Sequence, residues 1–324
     1  MKVIKDMSAE VPDTNGFYFR LDDLSDPTSK DNLYNGYNAI HANFTEGDRQ
    51  ASLNIWMPTE FAQARDHFGN TALEYNKNAT EVYGVCPHTV EWLSRIDPDT
   101  KYKYIYYPFN QKDIPDPQEK ENDVCYFGGI HSEMHQECLR IMSKFKYCYM
   151  TMTHGINSLT QAYLSWATHI NLSHQEKIKQ VGKCKVSVCY NVVPLEDFHI
   201  KNIKGYPQWE TNKAFSHVDQ AIMPQFKSRM HEAAMAKTIN LVYRDPWGIA
   251  EDYYTPDVDF VYFDSNRDLE EKISHIVNNW EDYEVMVESA YNKALGYTTD
   301  RMFNTIKQGE VWKPESADHA GQAT

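Results

Sequence analysis

Residues 224–264 read PQFKSRMHEAAMAKTINLVYRDPWGIAEDYYTPDVDFVYFD: a helix, a buried strand, an acidic and aromatic loop, then a second strand. On the helix Phe226, Met230, Ala233 and Ala234 recur at the spacing of one apolar face. At about 100° per residue, Gln225, Arg229 and Glu232 share a different stripe. A cation and a carboxylate on one face, near a helix N-terminus, suit a ligand that carries both phosphates and hydroxyls. The same spacing also serves a solvated helix face with an ordinary ion pair.

This segment resembles the donor-binding half of the GT-B glycosyltransferases, in particular the group that includes the CgeB-like and the phage- or virus-encoded enzymes. Their pattern runs roughly R-x-x-E-A-x-A, a strand, a loop bearing a Glu, and a strand ending in an acidic turn. Arg229, Glu232, Ala233, Glu251 and Asp264 stand at the matching places. The resemblance implies an α/β fold of GT-B type, with two Rossmann-type domains facing a cleft and the N-terminal one small. It implies a nucleotide-sugar co-substrate, UDP- or GDP-linked, with Glu232 on the ribose hydroxyls and no further cofactor. Two positions depart from the pattern: relatives often carry Gly where Lys237 stands, and the earlier Glu of an E-x7-E pair falls on Pro224.

With 324 residues the chain has room for two domains and a sizeable core. A hydrophobic content of 41% beside 24% charged residues is that of a globular protein. No apolar run approaches the roughly 18–20 residues that span a bilayer, and the first residues lack a signal-peptide core. The six cysteines include no C-x-x-C pair and read as reduced core residues of a cytoplasmic protein, in the host cytoplasm if the origin is viral. A net charge of −14 disfavours broad attraction to nucleic acid or anionic membrane. The stretch from Lys177 to Arg229, with nine Lys or Arg against four Asp or Glu, is locally basic and can line an anion site.

Residues 110–122, NQKDIPDPQEKEN, carry two prolines and many charges and read as an interdomain linker. The expected organisation is an acceptor-side α/β domain over 1–112 and a nucleotide-sugar-binding α/β domain over 113–280. Helices over 281–308 return across the cleft, and 309–324 forms a loose tail. After the linker, strands are expected at 123–129, 147–153, 169–172, 185–193, 239–243 and 260–263. Helices at 132–145 and 158–167 alternate with them, in the rhythm of a parallel sheet. Before it, strands are expected at 51–57, 81–86 and 103–107, with helices at 60–67 and 88–95. Helical structure is expected again from 268 to 294.

Gly128 and Gly129 follow a strand and precede a helix, where glycine lets backbone N–H groups approach a phosphate or sugar closely. In the GT-B pattern this loop faces the donor. Lys183, Lys185, Lys227 and Arg229 are candidates to neutralise a departing diphosphate. Asp245 and Glu251 are candidates for sugar hydroxyls, at the carboxyl end of the strand that follows the donor helix. Trp247 either stacks on a sugar or plugs the core. Asp257 and Asp259 form a D-x-D of the kind that holds a divalent ion elsewhere, but they precede their strand and read as a turn, as does the pair Asp97 and Asp99. No metal site is expected. His154, Glu60 and Asp66 fall in segments expected near the cleft, and no spacing singles out a catalytic base.

The sequence reading is a metal-independent glycosyltransferase moving a sugar from a nucleotide-sugar to a glycan, protein or modified-DNA acceptor. Two alternatives stay open: a phage enzyme acting on hydroxymethylated DNA bases, and a nucleotide-sugar-binding module without catalysis.

Overall fold

The structure, a computed structural model, describes residues 17–20, 41–46, 49–54, 81–109, 111–153, 157–194, 210–212, 220–312 and 314. The helix expected at 60–67, with Glu60, Asp66 and His154, lies outside these residues. The chain forms two compact units. One comprises Met1–Asn110, Leu195–Trp209 and Tyr297–Pro314, and the other Gln111–Pro194, Glu210–Gly296 and Glu315–Thr324.

The first unit holds a five-stranded sheet of β1 (Phe17–Arg20), β2 (His41–Glu46), β3 (Arg49–Asn54), β4 (Glu81–Gly84) and β5 (Lys101–Tyr104), in that spatial order. All pairs are parallel except β2 with β3. Helix α1 (Pro87–Ile96) opens with its proline in the first turn, where the missing N–H costs nothing. Half-buried Lys103 bonds the Glu81 carboxylate and the Gly309 carbonyl, at 3.0 Å for the latter.

The second unit is built on a six-stranded, wholly parallel sheet. Its strands are β6 (Asn122–Phe127), β7 (Tyr147–Thr151), β8 (His169–Ile170), β9 (Cys184–Cys189), β13 (Ile239–Tyr243) and β14 (Val261–Phe263), and the spatial order is β8-β7-β6-β9-β13-β14. Counted from β6 as the first strand, this is the 3-2-1-4-5-6 order of a doubly wound dinucleotide-type fold. Helices α2 (Glu133–Met142), α3 (Ser158–Ala162), α4 (His174–Gly182), α5 (Arg229–Met235), α6 (Asn266–Asn278) and α7 (Glu284–Ala294) connect and cover it. A further helix, α8 (Thr299–Gln308), belongs to the first unit.

Apolar strand positions make the core. Val124, Tyr126, Tyr149, Val186, Val188, Leu241 and Phe263 pack with Met134, Cys138 and Leu139 of α2 and with Leu269, Ile273 and Ile276 of α6. Phe226, Met230, Ala233 and Ala234 are all buried, so the expected apolar face holds, although the helix itself starts only at Arg229. Preceding it is an element absent from the sequence reading: a three-stranded antiparallel sheet, β10 (Val192–Pro194), β12 (Gln220–Pro224) and β11 (Glu210–Asn212), with β12 central. The single strand expected at 185–193 is therefore two, β9 in the main sheet and β10 in the small one.

Lys237, one of the two departures from the GT-B pattern, has φ of 55°, in the left-handed region where a side chain is strained. All six cysteines are buried free thiols, as expected. No described helix is long and apolar enough to cross a membrane.

Candidate functional site

The strand order reverses between β6 and β9, and at such a point the connections leave to opposite faces and open a crevice at the carboxyl ends of the strands. Gly128 and Gly129 follow β6 at that edge. Tyr190 and Asn191 follow β9. Asn191 is buried and clamps the chain that enters α5: its Oδ1 accepts the Lys227 N–H at 3.0 Å, and its carbonyl accepts the Gln225 N–H at 2.9 Å. That clamp holds Lys227 and Arg229 beside the reversal point.

Arg229 is half-buried, its guanidinium carbon 4.9 Å from the Tyr126 ring centre and 5.6 Å from that of Phe127, both at the end of β6. Gly128 has φ of 131°, and a methyl group on it would meet Arg229 Nη2 at 2.6 Å. Gly129 is equally crowded, with His131 Nε2 2.5 Å from the place a methyl group would take. The two glycines thus admit the Arg229 and His131 side chains close against the loop. No ion pair engages Arg229 among the described residues. A guanidinium stacked on aromatic rings keeps its N–H edges for an oxyanion. Desolvation first, and then Lys227 and Arg229, lower the pKa of His131; that of His135 falls through desolvation, then through His131 and the same two cations.

Glu232 is buried at 4% exposure, with Lys177 Nζ of α4 2.9 Å from its Oε2 and the Ser228 hydroxyl 3.2 Å from its Oε1. Burial opposes ionisation, but Lys177, His174 and Arg229 outweigh it and hold the pKa below the ordinary carboxylate value. His174 Nε2 stands 3.4 Å from buried Asp113, so an acid–base cluster backs the carboxylate. Lys177 sits on a helix whose start is set by a capping box between Ser173 and Glu176.

Asp245, directly past β13, is 4% exposed. Its Oδ1 accepts the N–H groups of Trp247 at 2.9 Å and Ile249 at 3.3 Å, while Oδ2 is buried with no hydrogen-bond partner among the described residues. Burial raises the Asp245 pKa to about 6, against the pull of those backbone N–H groups. Glu251 is exposed and accepts the Tyr262 hydroxyl at 2.9 Å.

Other expectations fall elsewhere. Lys183 and Lys185 stand at the amino end of β9, the edge opposite Arg229; Lys183 pairs with Glu121 at 3.1 Å and Lys185 donates to the Val277 carbonyl at 3.1 Å. Trp247 packs against the core, the structural one of its two readings. Asp257 takes a left-handed φ of 60°, as a turn residue does. Asp259 is buried and held by Lys293 at 2.9 Å, Ser289 at 2.6 Å and the Thr255 N–H at 2.7 Å. Asp97 accepts the Tyr102 hydroxyl at 2.7 Å. Among the described residues no cluster of His, Cys, Asp and Glu could hold a metal.

No protein-family model matches the sequence, and no curated protein does. Solved structures do match. HepE from Anabaena in complex with UDP and glucose superposes with a TM-score of 0.51 over 73% of this chain and 64% of its own, at 10% identity. A TarM variant from S. aureus in complex with fondaparinux, alpha-GlcNAc-glycerol and UDP gives 0.52 over 86% and 53%, also at 10% identity. The fold is that of the GT-B glycosyltransferases. Sucrose-phosphate synthase from Thermosynechococcus elongatus shares this GT-B fold at a TM-score of 0.51, covering 90% of this chain and 70% of its own at 10% identity. The chain spans only 48% of TarM and 64% of HepE.

Within the GT-B fold of this chain, Gly128, Gly129, Lys227 and Arg229 come together at the reversal point, and Glu232 follows one helical turn later on the same helix. Asp245 is the buried neighbour past the next strand but one from β6, and Glu251 stands apart on the surface side of its loop. The sequence reading missed His131, Asn191 and Lys177. Only Lys177 had a local signal, in the S-x-x-E capping box at Ser173. The other two are recognisable only through partners 26 and 36 residues away.

Proposed function

We propose that this chain is a nucleotide-sugar-dependent glycosyltransferase that works without a bound metal. The observation that carries the reading is the placement of Arg229, free of any ion pair among the described residues, over Gly128 at the strand-order reversal of a 3-2-1-4-5-6 sheet. Fixed cations there stabilise the charge that develops on a departing nucleoside diphosphate, the main demand of glycosyl transfer. In this proposal Arg229 and Lys227 take the phosphates, against the loop of Gly128 and Gly129. Glu232, kept ionised by Lys177, accepts the ribose hydroxyls, and Asp245 and Glu251 address the sugar. A UDP- or GDP-linked sugar fits these groups. The domain of residues 1–112 is assigned to the acceptor and that of 113–280 to the donor.

Among the described residues of the basic stretch, Lys177 pairs with Glu232, Lys183 pairs with Glu121, and Lys185 donates to the last turn of α6. The test is incubation with labelled UDP- and GDP-sugars in EDTA, with glycan, protein or hydroxymethylated DNA supplied in turn. Donor consumption in EDTA supports the reading. A chain that neither hydrolyses nor transfers from any of these donors overturns it.

A further inference from the structure

Two side-chain contacts fix how His131 carries its proton. Asn157 caps α3 by accepting the Thr160 N–H on Oδ1 at 2.7 Å, and that bond settles which end of the amide is oxygen. The Asn157 amide nitrogen therefore faces His131 Nδ1, at 2.8 Å, and donates to it. A donor at Nδ1 requires a lone pair there, so in the neutral ring the proton sits on Nε2. Nε2 lies against Gly129, the residue after the one that Arg229 covers. Among the described residues it has no other partner.

We propose that His131 donates its Nε2–H to a phosphate oxygen of the donor diphosphate, as a neutral donor beside the Arg229 and Lys227 cations; this rests on the nucleotide-sugar reading above. The groups facing the ring are Lys227 and Arg229 from the α5 side and His135 of α2, whose ring centre is 6.1 Å away. Neutral Asn157 and Thr160 face it from the α3 side. Desolvation and the two cations keep the imidazole pKa below its ordinary value, so it is uncharged at neutral pH. Asn157 thereby acts as a positioning residue: it selects the tautomer that can donate. A third cation would add self-repulsion to a pocket that already holds two, whereas a neutral N–H adds a hydrogen bond without it.

The test is calorimetric titration of UDP and GDP into the full chain at pH 6 to 8.5, for the parent, Arg229→Ala, His131→Ala and Asn157→Asp. Aspartate is as good a helix cap as asparagine, so the Thr160 bond survives while a carboxylate replaces the amide nitrogen. Facing that carboxylate, neutral His131 places its proton on Nδ1 and presents a bare Nε2 to the phosphate. His131→Ala is expected to weaken binding about tenfold or more, the scale of one hydrogen bond to a charged group. Asn157→Asp is expected to weaken it about as much at pH 8.5. At pH 6 the introduced carboxylate favours the protonated ring, whose Nε2 donates again, so the deficit against the parent should shrink to less than about threefold. Parent affinity in His131→Ala alongside weakened Arg229→Ala overturns this inference and leaves the diphosphate site standing. A deficit in Asn157→Asp that does not change with pH likewise removes the tautomer argument. Absence of nucleotide binding by the parent overturns both readings. Should Asn157→Asp fail to fold, His131→Ala alone decides.

Discussion

Asp245→Asn should make the protein more stable and less active. Asp245 has its ordinary pKa of 3.8 raised to about 6 by burial, a difference of about two units. At about 1.36 kcal/mol per unit, keeping it ionised at pH 7 costs the fold about 3 kcal/mol. The folded chain holds this proton more tightly than the unfolded chain does. Parent stability therefore rises as pH falls from about 6 towards 4, and the ionisation penalty is fully present above pH 6. Asparagine keeps the Oδ1 acceptor for Trp247 and Ile249 and removes the charge. Its amide nitrogen then takes the place of the unpartnered Oδ2, which returns about 1–2 kcal/mol of desolvation cost. The net gain is about 1–2 kcal/mol, or about 2–8 °C in Tm for domains of this size. Thermal unfolding followed from pH 4 to 8 reads it: the variant should lack the parent's rise below pH 6. Sugar transfer should fall about tenfold or more, because the proposal assigns the Asp245 carboxylate to a sugar hydroxyl. Unchanged pH dependence refutes the buried-charge argument, and parental turnover removes Asp245 from the site.

Arg229→Lys should impair turnover although the charge is kept, since lysine can neither stack flat on Tyr126 nor grip two phosphate oxygens in a planar fork; equal kcat/KM would reduce Arg229 to a structural cation. Lys177→Met leaves Glu232 buried without its cation and should cost about 3–5 kcal/mol of stability by denaturant titration; a loss under about 1 kcal/mol would mean Glu232 is not held this way. Asp259→Asn should lower Tm by loosening Lys293 and Ser289 while transfer in EDTA persists; if manganese restores activity lost to EDTA, the metal-free account fails. Lys237→Gly relieves a left-handed backbone and should stabilise by about 1 kcal/mol; destabilisation would show that its contact with Glu288 outweighs the strain.

The parts of this fold with a local cause were legible. The strand expected at 239–243, INLVY, is β13 to the residue, and the apolar face of Phe226, Met230, Ala233 and Ala234 is buried as its spacing requires. The rhythm of strands and helices after residue 122 gave a parallel sheet, and the GT-B likeness gave its kind. The small antiparallel sheet was missed because its strands are three to five residues long and are defined by their pairing, which periodicity cannot show. The candidate residues divide in the same way. Arg229 and Glu232 share a helix and announced themselves, whereas Lys177 reaches Glu232 from 55 positions upstream and His131 is set by an asparagine 26 positions on. Lys183 and Lys185 were misplaced because local charge does not say which edge of a sheet a residue occupies.

The central claim is that a nucleoside diphosphate binds at the β6–β9 reversal, against Gly128 and under Arg229. Isothermal titration of UDP and GDP into the parent chain and Arg229→Ala tests it most directly. The account predicts saturable binding of at least one nucleotide to the parent, weakened about 10- to 100-fold in the variant, as expected for loss of a charge-assisted bidentate contact. Saturable binding with the same affinity in both chains, or no binding to the parent, contradicts it.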